Sequence, residues 1–231
     1  MKPVIMFRDF ESCSKKATTT QPIQLCAIAI DPIKLEIKDN GIWHSYIRAI
    51  EDPEECKRLG VDPIEDEALA VNGITMEQIR SAPSLDVVWA DHVGFVKSYG
   101  VGWDAPIRAG YNCENFDHKI DERLCRLYGQ WDEKWDTQKL FHPIHTIDIM
   151  RDVFRWTYRN NPRSVSMDTT RKALGISTDM AHNAIKDCLD GAMLLIKYMK
   201  LYNHFTTKVK WEDSFAKENE DIARLLEKYA K

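Results

Sequence analysis

The sequence predicts an α/β fold: a mixed sheet flanked by helices, folded as a single domain. Two apolar runs of strand character open the chain, a third follows a turn signal, and from Ser84 onward apolar residues recur at helical spacing with one short strand returning among them. The length of 231 residues, 44% hydrophobic and 29% charged, suits one domain with an adequate core.

Val4 to Phe10 and Ile23 to Ile30 read as buried strands, joined by the polar stretch Ser12 to Gln21. Ile42 to Ile50 reads as a third strand, placed after the turn signal Asp39-Asn40-Gly41. Asp52 to Ala82 is acidic and irregular and promises helical fragments at most. Ser84 suits the cap of a helix reaching Tyr99, because Leu85, Val88, Trp89, His92, Val93 and Val96 recur at helical spacing. Ile107 to Tyr111 is a short strand, followed by an amphipathic helix from Asn115 to Tyr128 with Phe116, Ile120, Leu124 and Leu127 on its apolar side. Further helices are expected from about Ile147 to Tyr158, from Ser166 to Leu174 with Gly175 as the stop, and from Ala184 to Tyr202. Residues 1–205 are assigned to the domain. Residues 206–231 are assigned to a charged C-terminal helix, beginning near Trp211, that packs or binds a partner.

The net charge of -4 argues against coating nucleic acid by charge alone, since such proteins carry a basic face. It is compatible with a carboxylate site whose positive charge comes from bound cations. No stretch approaches the roughly 20 apolar residues that cross a bilayer, and the N-terminus lacks the pattern of a secretory leader. The six cysteines are scattered without a C-x-x-C pair, which suits reduced thiols and a cytoplasmic location.

Chemistry concentrates at three places. Asp9 and Glu11 flank Phe10 at the end of the first strand, so alternation puts both carboxylates on one face and Phe10 on the other. Adjacent carboxylates repel unless a cation lies between them, and magnesium or manganese prefers such oxygen ligands. Asp117 lies where the returning strand enters a helix, beside Phe116. His182 and Asp187 open the long helix, and Asp187 begins a face continued by Gly191, Leu194 and Tyr198. The five-residue gap is about 140° of helix, which separates His182 from the face of Asp187 and suggests a place at the lip. A neutral imidazole there suits a general base. Taken singly, each has an ordinary reading: two solvated acids at a strand end, an aspartate favoured by a helix dipole, a capping histidine.

In this order the elements resemble the DEDDh 3′–5′ exonuclease superfamily, which includes ribonuclease T, oligoribonuclease and polymerase proofreading subunits. The similarity runs from Val4 to Met199: Asp9-Phe10-Glu11 matches the acid pair, Asn112 or Asn115 with Phe116-Asp117 matches N-x-x-F-D, and His182 to Asp187 matches H-x-x-x-x-D. Val71-Asn72-Gly73-Ile74-Thr75, Ser81-Ala82-Pro83 and Leu174-Gly175-Ile176 support it. Where family members continue the first motif with Thr-Thr-Gly, this chain has Ser12-Cys13-Ser14. The resemblance implies a ribonuclease H-like fold and two divalent cations, Mg²⁺ or Mn²⁺, held by Asp9, Glu11, Asp117 and Asp187. It further implies His182 as the base and a nucleic-acid 3′ end as substrate. Phe10, Ser12, Asn112 and Phe116 are the expected substrate contacts, with Phe10 stacking on or wedging the terminal base. Lys15, Lys16 and Arg8 are candidates to hold the phosphate strand.

His142-Pro143-Ile144-His145 with Asp148 is discounted as a metal site, because the proline denies a regular helix and no further ligand is fixed by spacing. The alternative reading is a catalytically silent module of the same fold that binds nucleic acid or a polymerase. A polymerase or a second copy of the chain is the candidate protein partner, and no membrane is involved.

Overall fold

The computed structural model describes residues 2–158, 163–178 and 183–206. His182 and the charged helix expected beyond Trp211 lie outside the described residues. The chain divides into two compact units, Met1–Leu194 and Leu195–Lys231. The sheet and the carboxylate site belong to the first. In the second, the rings of Tyr198 and Tyr202 lie 4.7 Å apart.

The first unit is organised on a five-stranded mixed sheet. Its strands are β1 (Ile5–Ser12), β2 (Pro22–Asp31), β3 (Glu36–Tyr46), β4 (Ile107–Gly110) and β7 (Thr146–Asp148), in the order β3-β2-β1-β4-β7. β1, β2 and β3 are antiparallel neighbours, whereas β4 and β7 run parallel to β1. The C-terminal ends of three parallel strands therefore share one edge, the usual place for a ligand site in open α/β sheets. β5 (Trp131–Asp132) and β6 (Thr137–Gln138) form a separate hairpin.

Alternation along β1 decides what each face does. Met6 and Phe10 join Leu25, Ala27 and Ala29 in a core under α4 (Leu85–Lys97) and α5 (Asp117–Leu127), packed with Val88, Trp89, Ile120 and Leu124. Arg8 lies on the same face, fully buried, forked onto Asp121 of α5 and stacked on Phe141 at 4.3 Å. It is thus a core ion pair rather than the phosphate contact expected. The opposite face carries Phe7, Asp9 and Glu11 toward α8 (Ala184–Thr206). Ala184, Cys188, Gly191 and Ala192 give that helix a small-residue stripe, and Cys188 Sγ donates to Phe7 O at 3.4 Å. Only short side chains let a helix lie this close to a strand.

Three expectations shift. The third strand starts and ends earlier than Ile42–Ile50, because the turn is made upstream: Asp31 accepts the N–H groups of Ile33 and Lys34 (2.8 and 2.9 Å), and Leu35 takes a φ of 55°. Asn40 and Gly41 sit inside the strand, where a Cβ on Gly41 would lie 2.6 Å from Lys38 O. The acidic stretch forms three capped helices, α1 (Pro53–Leu59), α2 (Asp66–Asn72) and α3 (Met76–Ser81), the last with a Thr75–Gln78 capping box. The helix expected from Ile147 divides into β7 and α6 (Ile149–Thr157), because Asp148 pairs with Gly110 in the sheet and then caps Met150 N at 3.1 Å. α7 (Met167–Leu174) starts one residue after the expected Ser166, which serves as its cap, and keeps Gly175 as its left-handed stop. No helix among the described residues is long and apolar enough to cross a membrane.

Candidate active site

Asp9, Glu11 and Asp187 each offer a carboxylate oxygen, and these oxygens lie within 4.8 Å of one another. β1 supplies the first two at its C-terminal end, and α8 supplies the third from its first turn, where Asp187 N donates to Asn183 O at 2.9 Å. Two devices place that helix start: Asn183 Oδ1 accepts from Ile185 N at 3.1 Å, and Gln24 Oε1 on β2 accepts from Ala184 N at 3.1 Å. Gln24 is the cross-strand partner of Glu11, so one rung of the β1–β2 ladder both carries a site acid and anchors α8.

Asp117 approaches from α5. The chain leaves β4 through a turn with Asn112 at φ 56°, held by Asp148 Oδ1 accepting Asn112 N at 2.9 Å. That turn delivers Asp117 at the head of α5, buried, with Oδ1 accepting Phe10 N at 2.9 Å. A carboxylate fastened to the backbone between Asp9 and Glu11 lies beside that group, near enough for its charge to raise the proton affinity of both.

The electrostatics agree. Burial first, then Asp117, Glu11 and Asp187 in that order, raise the Asp9 pKa well above the usual carboxylate range. Burial, Asp187 and Asp117 push Glu11 up to about 8. Burial pushes Asp117 up to about 7, although the Phe10 N–H and the Arg8 guanidinium oppose it. Acids crowded at such cost are what a positive ion would relieve, and the all-oxygen donor set fits a hard divalent cation.

The expected substrate contacts fare unevenly. Phe10 is 5% exposed within the core, on the face away from the acids, and has no ring face for a base; sheet alternation overrides the stacking expectation. Phe116 is half-buried against the same core. Ser12 is buried, with its hydroxyl donating to Ser14 O at 2.9 Å. Asn112 remains partly accessible and accepts from Asn115 Nδ2 at 2.8 Å. Lys15 is exposed and lies 3.9 Å from Glu67. The discounted histidines build a turn: His142 Nδ1 accepts from the Ile144 and His145 amides at 3.2 and 3.1 Å.

Arg171 of α7 is the residue the sequence reading missed. Its buried guanidinium donates to Asp187 Oδ1 at 2.6 Å, Asp190 Oδ2 at 2.8 Å and Asp168 Oδ1 at 3.1 Å. It supplies positive charge beside one site acid and ties α7 to α8. Asp187 and Asp190 on one helix called for a nearby cation, but nothing in their spacing pointed to Arg171.

This fold has known counterparts. Residues 6–195 match the exonuclease family that includes ribonuclease T, and the chain belongs to that family. The fold is shared with cell-death related nuclease 4 (TM-score 0.63, 17% identity, covering 87% of this chain and 64% of that one). It is shared also with E. coli exonuclease I in complex with a dT13 oligonucleotide (TM-score 0.65, 19% identity, 89% of this chain and 44% of that one). A zinc-bound form of the exonuclease I complex with single-stranded DNA is similar at TM-score 0.62 and 18% identity, covering 89% of this chain and 43% of that one. The chain thus spans less than half of exonuclease I and under two thirds of the nuclease. A search of curated protein sequences found no match.

Proposed function

We propose that the chain is a metal-dependent 3′–5′ exonuclease that removes nucleotides from the 3′ end of a nucleic-acid strand as nucleoside 5′-monophosphates. The observation that carries this reading is the convergence of Asp9, Glu11 and Asp187 within 4.8 Å at a strand end to which Asp117 is bonded. These four acids would hold two divalent cations, magnesium or manganese. When bound, such ions lower the pKa of an attacking water and stabilise charge on the phosphate and the leaving oxygen.

The protein's own residues do the rest. Asp9 and Glu11, rigid on β1, define where a scissile phosphate must sit. Asp117 is oriented by the Phe10 amide, and Asp187 by Arg171 and the capped start of α8. His182, one residue before Asn183, is the proposed general base. Support for a single-stranded substrate comes from exonuclease I, whose structures hold single-stranded oligonucleotides.

The test is incubation of the purified chain with 5′-labelled single-stranded DNA, duplex DNA and RNA, with Mg²⁺, Mn²⁺ or chelator. A metal-dependent ladder shortening from the 3′ end, absent from Asp187→Ala, is expected, and its pattern across substrates names the polymer. No shortening in either metal refutes the reading.

A further inference from the structure

Residues 151–163 read Arg-Asp-Val-Phe-Arg-Trp-Thr-Tyr-Arg-Asn-Asn-Pro-Arg: four arginines against one aspartate, interleaved with three aromatics, in a chain of net charge -4. α6 begins this segment. Its inward side is set by the buried Ile149 and Val153. By the 3.6-residue period, Arg151, Phe154, Arg155 and Tyr158 form one stripe on the opposite side. The stripe is open: Phe154 and Tyr158 are 45% and 67% exposed and pack edge to face at 5.7 Å. The Arg151 and Arg155 side chains are 60% and 70% exposed. Phe154 and Tyr158 touch and so form a contiguous exposed aromatic pair, and contiguous exposed apolar surface, unlike a singly exposed side chain, is what marks binding sites.

We propose that this stripe is a binding surface for single-stranded nucleic acid, carrying the nucleotides upstream of the 3′ end. The proposal rests on the exonuclease reading and extends it. Its location follows from the topology, because α6 starts at the C-terminal end of β7, on the edge where β1 ends in Asp9 and Glu11. A hollow of about 410 Å³ is bounded by Met150, Arg151, Phe154, Arg155 and Val165. Val165 O accepts from Tyr111 OH at 2.6 Å, at the start of the turn that delivers Asp117. The hollow therefore adjoins the loop that builds the site.

The chemistry suits a polyanion with exposed bases. Arginine pairs with phosphate, and an aromatic face accepts any base by stacking. Arg151 and Arg155 now pair with Glu114 and Asp152. Such exposed pairs are weak, so a phosphate strand can compete for both guanidinium groups.

The experiment measures KM of the full chain, with magnesium, for dT3 and dT12 as a function of salt. Phe154→Ala/Tyr158→Ala is expected to raise KM for dT12 at least about fivefold, the low end of one stacked base, and to flatten the gain from dT3 to dT12. Arg151→Gln/Arg155→Gln is expected to reduce the slope of log(kcat/KM) against log salt for dT12 by about 1.4, from two phosphate contacts on a single strand. Phe154→Leu, which keeps apolar volume without an aromatic π-face, must show the KM defect while melting like the wild type. A wild type that degrades dT12 with variants of unchanged length and salt dependence overturns this proposal alone. Variants that change oligomeric state but not KM also overturn it, assigning the stripe to a protein partner. The same lengths are run as oligouridine, and a wild type that degrades neither dT3 and dT12 nor their RNA counterparts fails the exonuclease reading and this one together.

Discussion

Replacing Gly191 by alanine tests how the carboxylates are brought together. Gly191 lies one helical turn after Asp187 and faces Phe7, two residues before Asp9 on β1. A Cβ built there would lie 2.3 Å from Phe7 Cζ and 2.5 Å from Cε1. Carbon atoms rest about 3.5–4.0 Å apart, so α8 or the Phe7 ring must give by more than about 1 Å. Phe7 is 1% exposed and has no open side to move into. Overpacking of this kind costs about 1–3 kcal/mol, and removing a mid-helix glycine returns about 1 kcal/mol. The net loss of stability is therefore modest, about 0–2 kcal/mol. Activity should suffer far more, because a misplacement of about 1 Å at a reacting centre costs on the order of 100-fold. Thermal unfolding and kcat on a 5′-labelled dT12 strand measure the two effects separately. Gly94→Ala on α4, where nothing lies within 4 Å of the new Cβ, is the control and should retain full activity. A Gly191→Ala protein with kcat within about twofold of wild type would refute the idea that close packing of α8 on β1 sets the site.

Other perturbations have equally definite outcomes. Arg171→Leu strips the guanidinium from Asp187, Asp190 and Asp168; a loss of about 3–5 kcal/mol is expected by denaturant unfolding, and Arg171→Lys should recover only part of it. Asp117→Ala leaves the buried Phe10 amide without its acceptor, costing about 1–3 kcal/mol, whereas Asp117→Asn retains an acceptor and should unfold near wild type yet lose metal-dependent turnover. Glu11 and Asp117 titrate near 8 and 7 in the folded chain, above their unfolded values. The native state therefore holds protons that the unfolded chain has released, so metal-free stability should be highest below about pH 4 to 4.5 as far as these two groups determine it, and fall as pH rises to 8. Melting in chelator at pH 5 and pH 8 reads this fall, and added Mn²⁺ should raise the melting temperature more at pH 8. A pH-independent difference with and without metal would contradict it.

Much of the site was legible because strand alternation and helical phase are written into residue spacing. Asp9 and Glu11 share a face since they are two apart on a strand, and Asp187 faces inward because Gly191 and Leu194 follow on the same helical side. The same alternation, applied consistently, already placed Phe10 away from the acids, which is why its expected base contact gives way to the core. Arg8 failed for a related reason: its partner Asp121 lies 113 residues away, and no local pattern announces so distant an ion pair. β7 was read into the start of the helix that follows it, because its three residues gain strand character only by pairing with β4. The exposed arginine and aromatic stripe of α6 lay open in the sequence and needed only the helix phase to be read.

The most direct measurement is a crystal of the full chain grown with Mn²⁺ and a 3′-ended oligonucleotide, with anomalous scattering locating the metal. Two manganese ions bound among the oxygens of Asp9, Glu11, Asp117 and Asp187, with the 3′-terminal phosphate beside them, are the expected result. An oligonucleotide bound while no manganese contacts those four side chains would contradict the account.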